Sequence, residues 1–349
     1  MNRSPLLTRR LFTGSGVVVA AALALPSLRA QPQPETRKIV LSVDGKAAFG
    51  YLPLTIAEQL GYFRAEGLEV RISDFASAAA ALAALKDGSA EVCSGTFEHT
   101  IHLQARHQKY QAFVLQGRAP QMVFGVSSRT MAHYKSVADL RGKKIGVSAP
   151  GSPSSLMASL VLLQGGVKAG EASFVAVGTS AGALAALRSG QIDAISNTDP
   201  LMTMLEQGSE VKIISDSRSL KGTAEVFGGP MPAACLYAPL GFIEKNPNTC
   251  QALANAIVHS LKWLQTAGPR DIINTVPESY LMGDRGLYLA AFNKVRESIS
   301  LDGLFSDAGP PTALKALSRL DASIKAEQIH LPATYTNVFA SRAKERFKA

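Results

Sequence analysis

From residue 38 onward, short apolar runs alternate with stretches in which apolar residues recur every three or four positions. The runs at 38–43, 68–72, 91–93 and 111–115 read as strands, and the stretches at 54–64, 76–86 and 97–107 carry helical spacing. The alternation restarts at Lys144, with strands at 145–148, 174–177, 192–196 and 211–215 separated by further helices. Strand–helix alternation of this kind predicts βαβ units, and so mostly parallel sheets covered by helices on both faces.

The restart is also an internal repeat. The segment Ala81-Leu82-Ala83-Ala84-Leu85-Lys86-Asp87-Gly88 matches Ala183-Leu184-Ala185-Ala186-Leu187-Arg188-Ser189-Gly190 at an offset of 102. The same register pairs Glu91 with Asp193, Ser94 with Ser196 and Thr96 with Thr198, and at an offset of 106 Lys38-Ile39 and Ser42 pair with Lys144-Ile145 and Ser148. Helices rich in Ala and Leu resemble one another by composition alone. The matching strand and the Ser-x-Thr after it add weight to two similar α/β lobes. The C-terminal third is different: Asn246-Pro247 starts a helix, Leu253, Ile257, Leu261 and Leu264 share one of its faces, and Gly268-Pro269 stops it. Helices at 270–276, 284–298 and 311–324 are expected to pack on the first lobe. The chain then crosses between lobes near 118–126 and returns near 228–239, where Gly228-Gly229-Pro230-Met231-Pro232 has turn chemistry. This gives a first lobe of 38–118 plus 240–349 and a second of 119–239.

At 349 residues the chain is long enough for two such lobes. Its start belongs to neither. Thr8-Arg9-Arg10-Leu11-Phe12 is a twin-arginine pattern, followed by the apolar run 17–25 and by Ala30 at a cleavage point. Nine apolar residues fall short of the roughly 20 that span a bilayer. Residues 1–30 therefore read as a removable export signal and 31–37 as a linker, which predicts a periplasmic protein. Without that segment, the chain keeps 36 − 4 = 32 basic and 27 acidic residues, a net of +5. No dense basic run with interleaved aromatics remains, so no nucleic-acid partner is expected. Cys93, Cys235 and Cys250 form no C-x-x-C pair and read as buried free thiols. No cofactor and no metal are called for, and a monomer is expected.

Ligands of open parallel sheets bind beyond the carboxyl ends of the strands, where helix N-termini expose backbone N–H groups. Two facing lobes aim two sets of such loops at one cleft. In the loop Ser148-Ala149-Pro150-Gly151-Ser152-Pro153-Ser154-Ser155, Ser152 is a candidate cap and Ser154 and Ser155 offer amides and hydroxyls. Its counterpart at 44–53 contains Phe49, Gly50 and Tyr51, whose rings stack on a ligand or simply pack. Next come Ser94-Gly95-Thr96 and Ser196-Asn197-Thr198-Asp199-Pro200, with Arg118 after the fourth strand as a candidate charged contact.

The run Gly50-Tyr51-Leu52-Pro53-Leu54-Thr55-Ile56-Ala57-Glu58-Gln59-Leu60-Gly61-Tyr62-Phe63-Arg64-Ala65-Glu66-Gly67-Leu68-Glu69-Val70 resembles the N-terminal signature of one family. That family is the nitrate/sulfonate/taurine (NMT1/THI5-like) group of substrate-binding proteins of ABC importers. Asp139-Leu140-Arg141-Gly142-Lys143-Lys144-Ile145-Gly146-Val147, the Leu-x-x-Gly-x-Ile-Asp-Ala run ending at Ala194, and Asp199-Pro200 extend the resemblance over about 38–265. It implies a type II periplasmic-binding-protein fold, hinged between its lobes, that delivers a small-molecule ligand to a membrane permease. It places Phe49, Tyr51, Thr96, Ser152, Ser154, Ser155, Asn197 and Asp199 in the cleft. Small organic anions, sulfonates or carboxylates, are the expected ligands, although Asp199 suits a simple anion poorly.

Three rival readings attach to particular residues. Gly178-Thr179-Ser180-Ala181-Gly182 has the nucleophile-elbow pattern of a serine hydrolase. Glu98, His99, His102 and His107 share a predicted helix, read as a solvated face rather than a zinc site. Pyrimidine-precursor binding or synthesis on the same fold is the third. No enzymatic activity is expected.

Overall fold

Ten strands are present in the computed structural model, which describes residues 32–349; the expected export signal at 1–30 lies outside the described residues. They are β1 (Lys38–Asp44), β2 (Glu69–Phe75), β3 (Val92–Thr96), β4 (Tyr110–Leu115), β5 (Met122–Ser127), β6 (Lys144–Val147), β7 (Ser173–Ala176), β8 (Ala194–Thr198), β9 (Val211–Asp216) and β10 (Ala234–Pro239). They form two five-stranded sheets, ordered β2-β1-β3-β10-β4 and β7-β6-β8-β5-β9. In each sheet the strands flanking the first one run parallel to it, and the fourth in the order is antiparallel to both its neighbours. This is the expected two-lobed α/β architecture with mixed sheets.

The two reversed strands were not among the expected strands. Met122–Ser127 and Ala234–Pro239 read from sequence as parts of the crossings; in the fold each crossing segment runs straight into the sheet it enters. Both are buried on their two faces, so they lack the polar alternation that marks a half-exposed strand. One consequence corrects a boundary. Ala234–Pro239 belongs to the first sheet, so the return crossing ends at Ala233 and not at residue 239.

Both faces of the first sheet are covered. Ile39, Leu41 and Val43 of β1 meet Leu253, Ile257 and Leu261 of the helix Pro247–Thr266 in one core. On the other side Cys93 and Tyr237 join Phe97, Ile101 and the helix Gly309–Leu320. Burying each such Leu or Ile contributes roughly 1.5–3 kcal/mol. The helix Gly309–Leu320 shares this second core with Met157 and Leu160 of the helix Pro153–Gln164, so it rests on both lobes and not on the first alone. The helix expected over 54–64 breaks into Leu52–Gln59 and Tyr62–Ala65, because Gly61 between them adopts φ 73°, a left-handed conformation suited to glycine. A final helix, Val338–Phe347, was not expected; Phe347 stacks on His259, which stacks on Tyr62.

The lead-in is tied down earlier than expected. Glu35 accepts hydrogen bonds from Asn248 N at 3.0 Å and Thr249 N at 2.9 Å, at the start of helix Pro247–Thr266, and Thr36 Oγ1 donates to Asn246 Oδ1 at 2.7 Å. Residues 35 and 36 are thus part of the fold and not of a linker. All three cysteines are free and buried. Among the described residues, no helix is long and apolar enough to cross a membrane.

Two crossing segments place the strand ends. Residues 116–121 link β4 to β5, and residues 228–233 lead into β10. They pair with each other, Gln116 N donating to Ala234 O at 2.7 Å and Ala233 N to Gly117 O at 2.9 Å. Ser298 O and Ser300 N bind the same stretch, at Arg118 N and Gln116 O. Thr96, the last residue of β3, lies opposite Ala234, and Thr198, the last of β8, lies opposite Met122. The carboxyl ends of β3 and β8 therefore sit at the two ends of a six-residue bridge that spans at most about 20 Å.

Candidate functional site

On the first-lobe side, the site is built where β1 and β3 end. Their register sets Val43 against Ser94, so Asp44 emerges beside Gly95, three residues before Glu98. Gly95 is required there: an added Cβ would lie 3.0 Å from Cε1 of Tyr237 and 3.3 Å from Sγ of Cys93. The Tyr237 hydroxyl and Nδ1 of His99 hydrogen-bond at 3.0 Å. The Tyr51 hydroxyl donates to Oδ1 of Asp44 at 3.2 Å. Burial raises the Asp44 carboxyl to about 6, with Asp74 adding to the rise. Burial likewise raises Glu98 to about 7, and the Asp44 charge adds to it. His99 is pushed down to about 4 by burial and is neutral at pH 7. Among the described residues, neither Asp44 nor Glu98 forms an ion pair.

The crossing segment adds two amides. Gln116 Nε2 donates to Ser94 Oγ at 2.9 Å, while its Oε1 is buried without a partner. Gln121, with φ 61° and 2% exposure, also has a buried unpartnered Oε1, which points at Gly50 beside Tyr51. Thr96 Oγ1 and Ser196 Oγ are buried and unpartnered as well.

On the second-lobe side, Ser196 apart, the polar side chains at the strand ends are satisfied internally. Ser154 Oγ accepts from Ser148 N at 2.9 Å and hydrogen-bonds the Ser148 and Ser152 hydroxyls, while Ser155 Oγ donates to Ser152 O at 2.9 Å. Ser152 caps the helix Pro153–Gln164 as expected. Asn197 Nδ2 donates to Gly178 O at 2.8 Å and its Oδ1 accepts from Thr198 N at 2.9 Å. Asp199 is fully enclosed. It accepts from Thr203 N at 2.7 Å and faces Nη1 of Arg218 at 3.3 Å, and Arg218 also pairs with Glu206 at 3.1 Å and Asp216 at 2.6 Å.

The family model described as NMT1/THI5 like matches residues 48–267. The chain belongs to the NMT1/THI5-like family. A solved structure from Bordetella bronchiseptica RB50 is 50% identical, with a TM-score of 0.88, covering 91% of this chain and all of that one. The alkanesulfonate-binding protein SsuA from Xanthomonas axonopodis pv. citri is 16% identical, with a TM-score of 0.62 over 86% of this chain and 99% of its own. The periplasmic nitrate-binding protein NrtA from Synechocystis PCC 6803 is 12% identical, with a TM-score of 0.71 over 91% of this chain and 90% of its own. Among curated proteins, no sequence matches the chain. The two-lobed architecture is thus the periplasmic-binding-protein fold.

Within this NMT1/THI5-like chain, Tyr51 and Thr96 are brought together at the first-lobe strand ends, and Ser152, Ser154 and Ser155 cluster at one helix start. Phe49 is 1% exposed and packs on Tyr288, with ring centroids 4.7 Å apart, so it is a core residue. Arg118 donates from Nε to Glu297 O at 3.0 Å. The cation that Asp199 calls for is supplied by the chain itself as Arg218, which sequence reasoning missed. Asp44, Glu98, Gln116 and Gln121 were also missed as site residues. The helix bearing Glu98 and His99 is not the solvated face expected, since Glu98 is only 7% exposed. No group of side chains able to hold a metal occurs among the described residues. Ser180 is exposed, and its hydroxyl meets neither a histidine nor a carboxylate among the described residues, so the elbow pattern assembles no triad.

Proposed function

We propose that this NMT1/THI5-like protein is the solute-binding component of an ABC importer, working in the periplasm after export, and that it captures a small molecule between its lobes. One observation carries this reading. The carboxyl ends of the parallel strands of both sheets converge on one short pair of crossings, and buried polar groups there lack intramolecular partners. Such a hinge lets one lobe swing onto the other, and closing on a ligand satisfies those groups. Family membership and the fold shared with sulfonate- and nitrate-binding proteins support the reading. The protein acts as a monomer that docks on a membrane permease, without catalysing a reaction.

Native mass spectrometry of the freshly purified protein, together with size-exclusion chromatography, tests this. A small molecule retained at one per monomer is expected, and adding it back should raise the melting temperature by mass action. Thr96→Trp, placed at the strand end, should abolish that retention while preserving the circular dichroism spectrum. Retention unaffected by Thr96→Trp would place the ligand elsewhere.

A further inference from the structure

The charge at the site runs against the small organic anion expected from the sequence. Two of the basic residues at these strand ends, Lys46 and Arg218, are neutralised by carboxylates of the chain itself. Lys46 is ion-paired with Glu58, Arg218 is enclosed by Asp199, Glu206 and Asp216, and Arg118 is tied through Nε to the backbone carbonyl of Glu297. The serine loop at 148–155 spends its hydroxyls on itself. Apart from the Thr96 and Ser196 hydroxyls, which donate or accept, the groups left over are acceptors. Glu98 is 7% exposed and has no ion-pair partner among the described residues, and Asp44 is met only by the Tyr51 hydroxyl. Gln116 and Gln121, 0% and 2% exposed, are independent of that acidic pair, yet each brings a buried carbonyl oxygen with no donor. The Gln121 oxygen lies 4.0 Å from where a Cβ on Gly50 would sit, and Ala234, which pairs with Thr96, is 3.8 Å from the same point. Two carboxyls and two amide oxygens thus lie around the ends of β1 and β3, on the strand end, the following helix and the crossing.

A carboxylate buried without a cation is costly, and two coupled ones more so. An anion placed here would meet the like charge of Asp44 and Glu98, against which the unpartnered hydroxyls of Thr96 and Ser196 set only neutral donors. A ligand with several N–H donors and a positive charge suits such a set of acceptors. We propose that the cleft takes a ligand bearing a cationic nitrogen group, an ammonium or an amidinium, held by Asp44 and Glu98 and oriented by the side-chain carbonyls of Gln116 and Gln121. This rests on the solute-binding reading above and narrows the class of solute.

The test uses the full mature chain and two matched probe pairs that keep shape and invert charge: guanidinium against nitrate, and benzamidinium against benzoate. Binding is read by thermal shift and calorimetry at pH 8, beside the mass and elemental formula of any co-purified molecule. A cationic probe should bind in preference to its anionic partner, the co-purified molecule should carry a basic nitrogen, and Glu98→Gln and Asp44→Asn should each weaken cation binding more than tenfold. Affinity should also fall as pH drops from 8 to 5, as the two carboxyls take up protons in competition with the ligand. Preferential binding of nitrate or benzoate, or a co-purified molecule that is purely acidic and binds Glu98→Gln as well as the parent, would overturn the cationic class and leave the solute-binding reading standing. If nothing co-purifies and no probe binds, both readings fall together.

Discussion

Glu98 shows what a single side chain can cost a fold. Its carboxyl titrates near 7 instead of 4.5, because burial disfavours the charged form. Above both values the folded state bears the full penalty, on the order of 3 kcal/mol for such a shift; below about 4.5 the penalty vanishes. Asp44 adds a penalty of the same sign, which sets in above its ordinary value near 4 and is complete above its own value near 6. The titratable groups that share this environment are Asp74, Tyr51, Cys93, Cys235, His99 and Tyr237. The unliganded protein should therefore be more stable at pH 5 than at pH 8 on account of these two acids. Glu98→Gln should stabilise it at pH 8 and flatten that dependence, as measured by urea unfolding at both pH values; equal destabilisation at pH 5 and 8 would show that the carboxylate is needed for packing. Little of this was legible beforehand. Tyr51 and Thr96 could be found because they lie in loops predicted to follow strands, where backbone groups and side chains are free. Glu98 lies on a short helix, Glu98–Ala105, that mixes polar and apolar residues on every face, so spacing could not say which side is buried. Arg218 follows β9 in a loop, and only folding brings Asp199, Glu206 and Asp216 around it.

Among the elements, repetition was the most legible signal. The offset of 102 carries β3 onto β8 residue for residue, Val92–Thr96 onto Ala194–Thr198. The neighbouring strands pair Leu41 with Val92 and Ile145 with Ala194, a slip of two residues relative to the 106 and 102 offsets, which leaves each side chain on the same face. What the pattern could not reveal was β5 and β10, because a strand buried on both sides and entered directly from a crossing looks like any apolar stretch. Nor could it reveal that Glu35 reaches across the chain to the first turn of the helix Pro247–Thr266. The Asn248 and Thr249 amides have no intrahelical partner, and Glu35 supplies an acceptor and a negative charge at the positive end of the helix dipole. Glu35→Ala should cost about 1 kcal/mol. The expected readout is a lower denaturation midpoint with an unchanged slope; an unchanged midpoint would mean that solvent caps the helix equally well.

At the scale of the molecule, the lobes are connected by more than their crossings. Lys294 Nζ, on the helix Arg285–Val295 that packs with the first core, lies 2.6 Å from Glu206 of the second lobe. Glu297 Oε1 accepts from Leu220 N at 2.9 Å. Exposed ion pairs of this kind contribute roughly 0.2–1 kcal/mol. Lys294→Met should therefore shift unliganded protein toward a more open form, seen as a larger radius of gyration in small-angle scattering, and weaken the natural ligand by about two- to fivefold. Unchanged scattering together with unchanged affinity would show that the pair does not bias closure.

The order in which the sheets are completed has a further meaning for a chain made from its N-terminus. All five strands of the second sheet have left the ribosome once Asp216 is out. The first sheet, begun at Lys38, still lacks its fourth-ranked strand until Pro239, and the helix Pro247–Thr266 that covers one of its faces comes later still. β3 and β4, which end up on either side of β10, must wait unpaired along those edges while more than a hundred residues are synthesised. During biosynthesis the half of the molecule that bears Asp44 and Glu98 is thus the last to become protected, and it is the half most exposed to chaperones and proteases before the protein is finished.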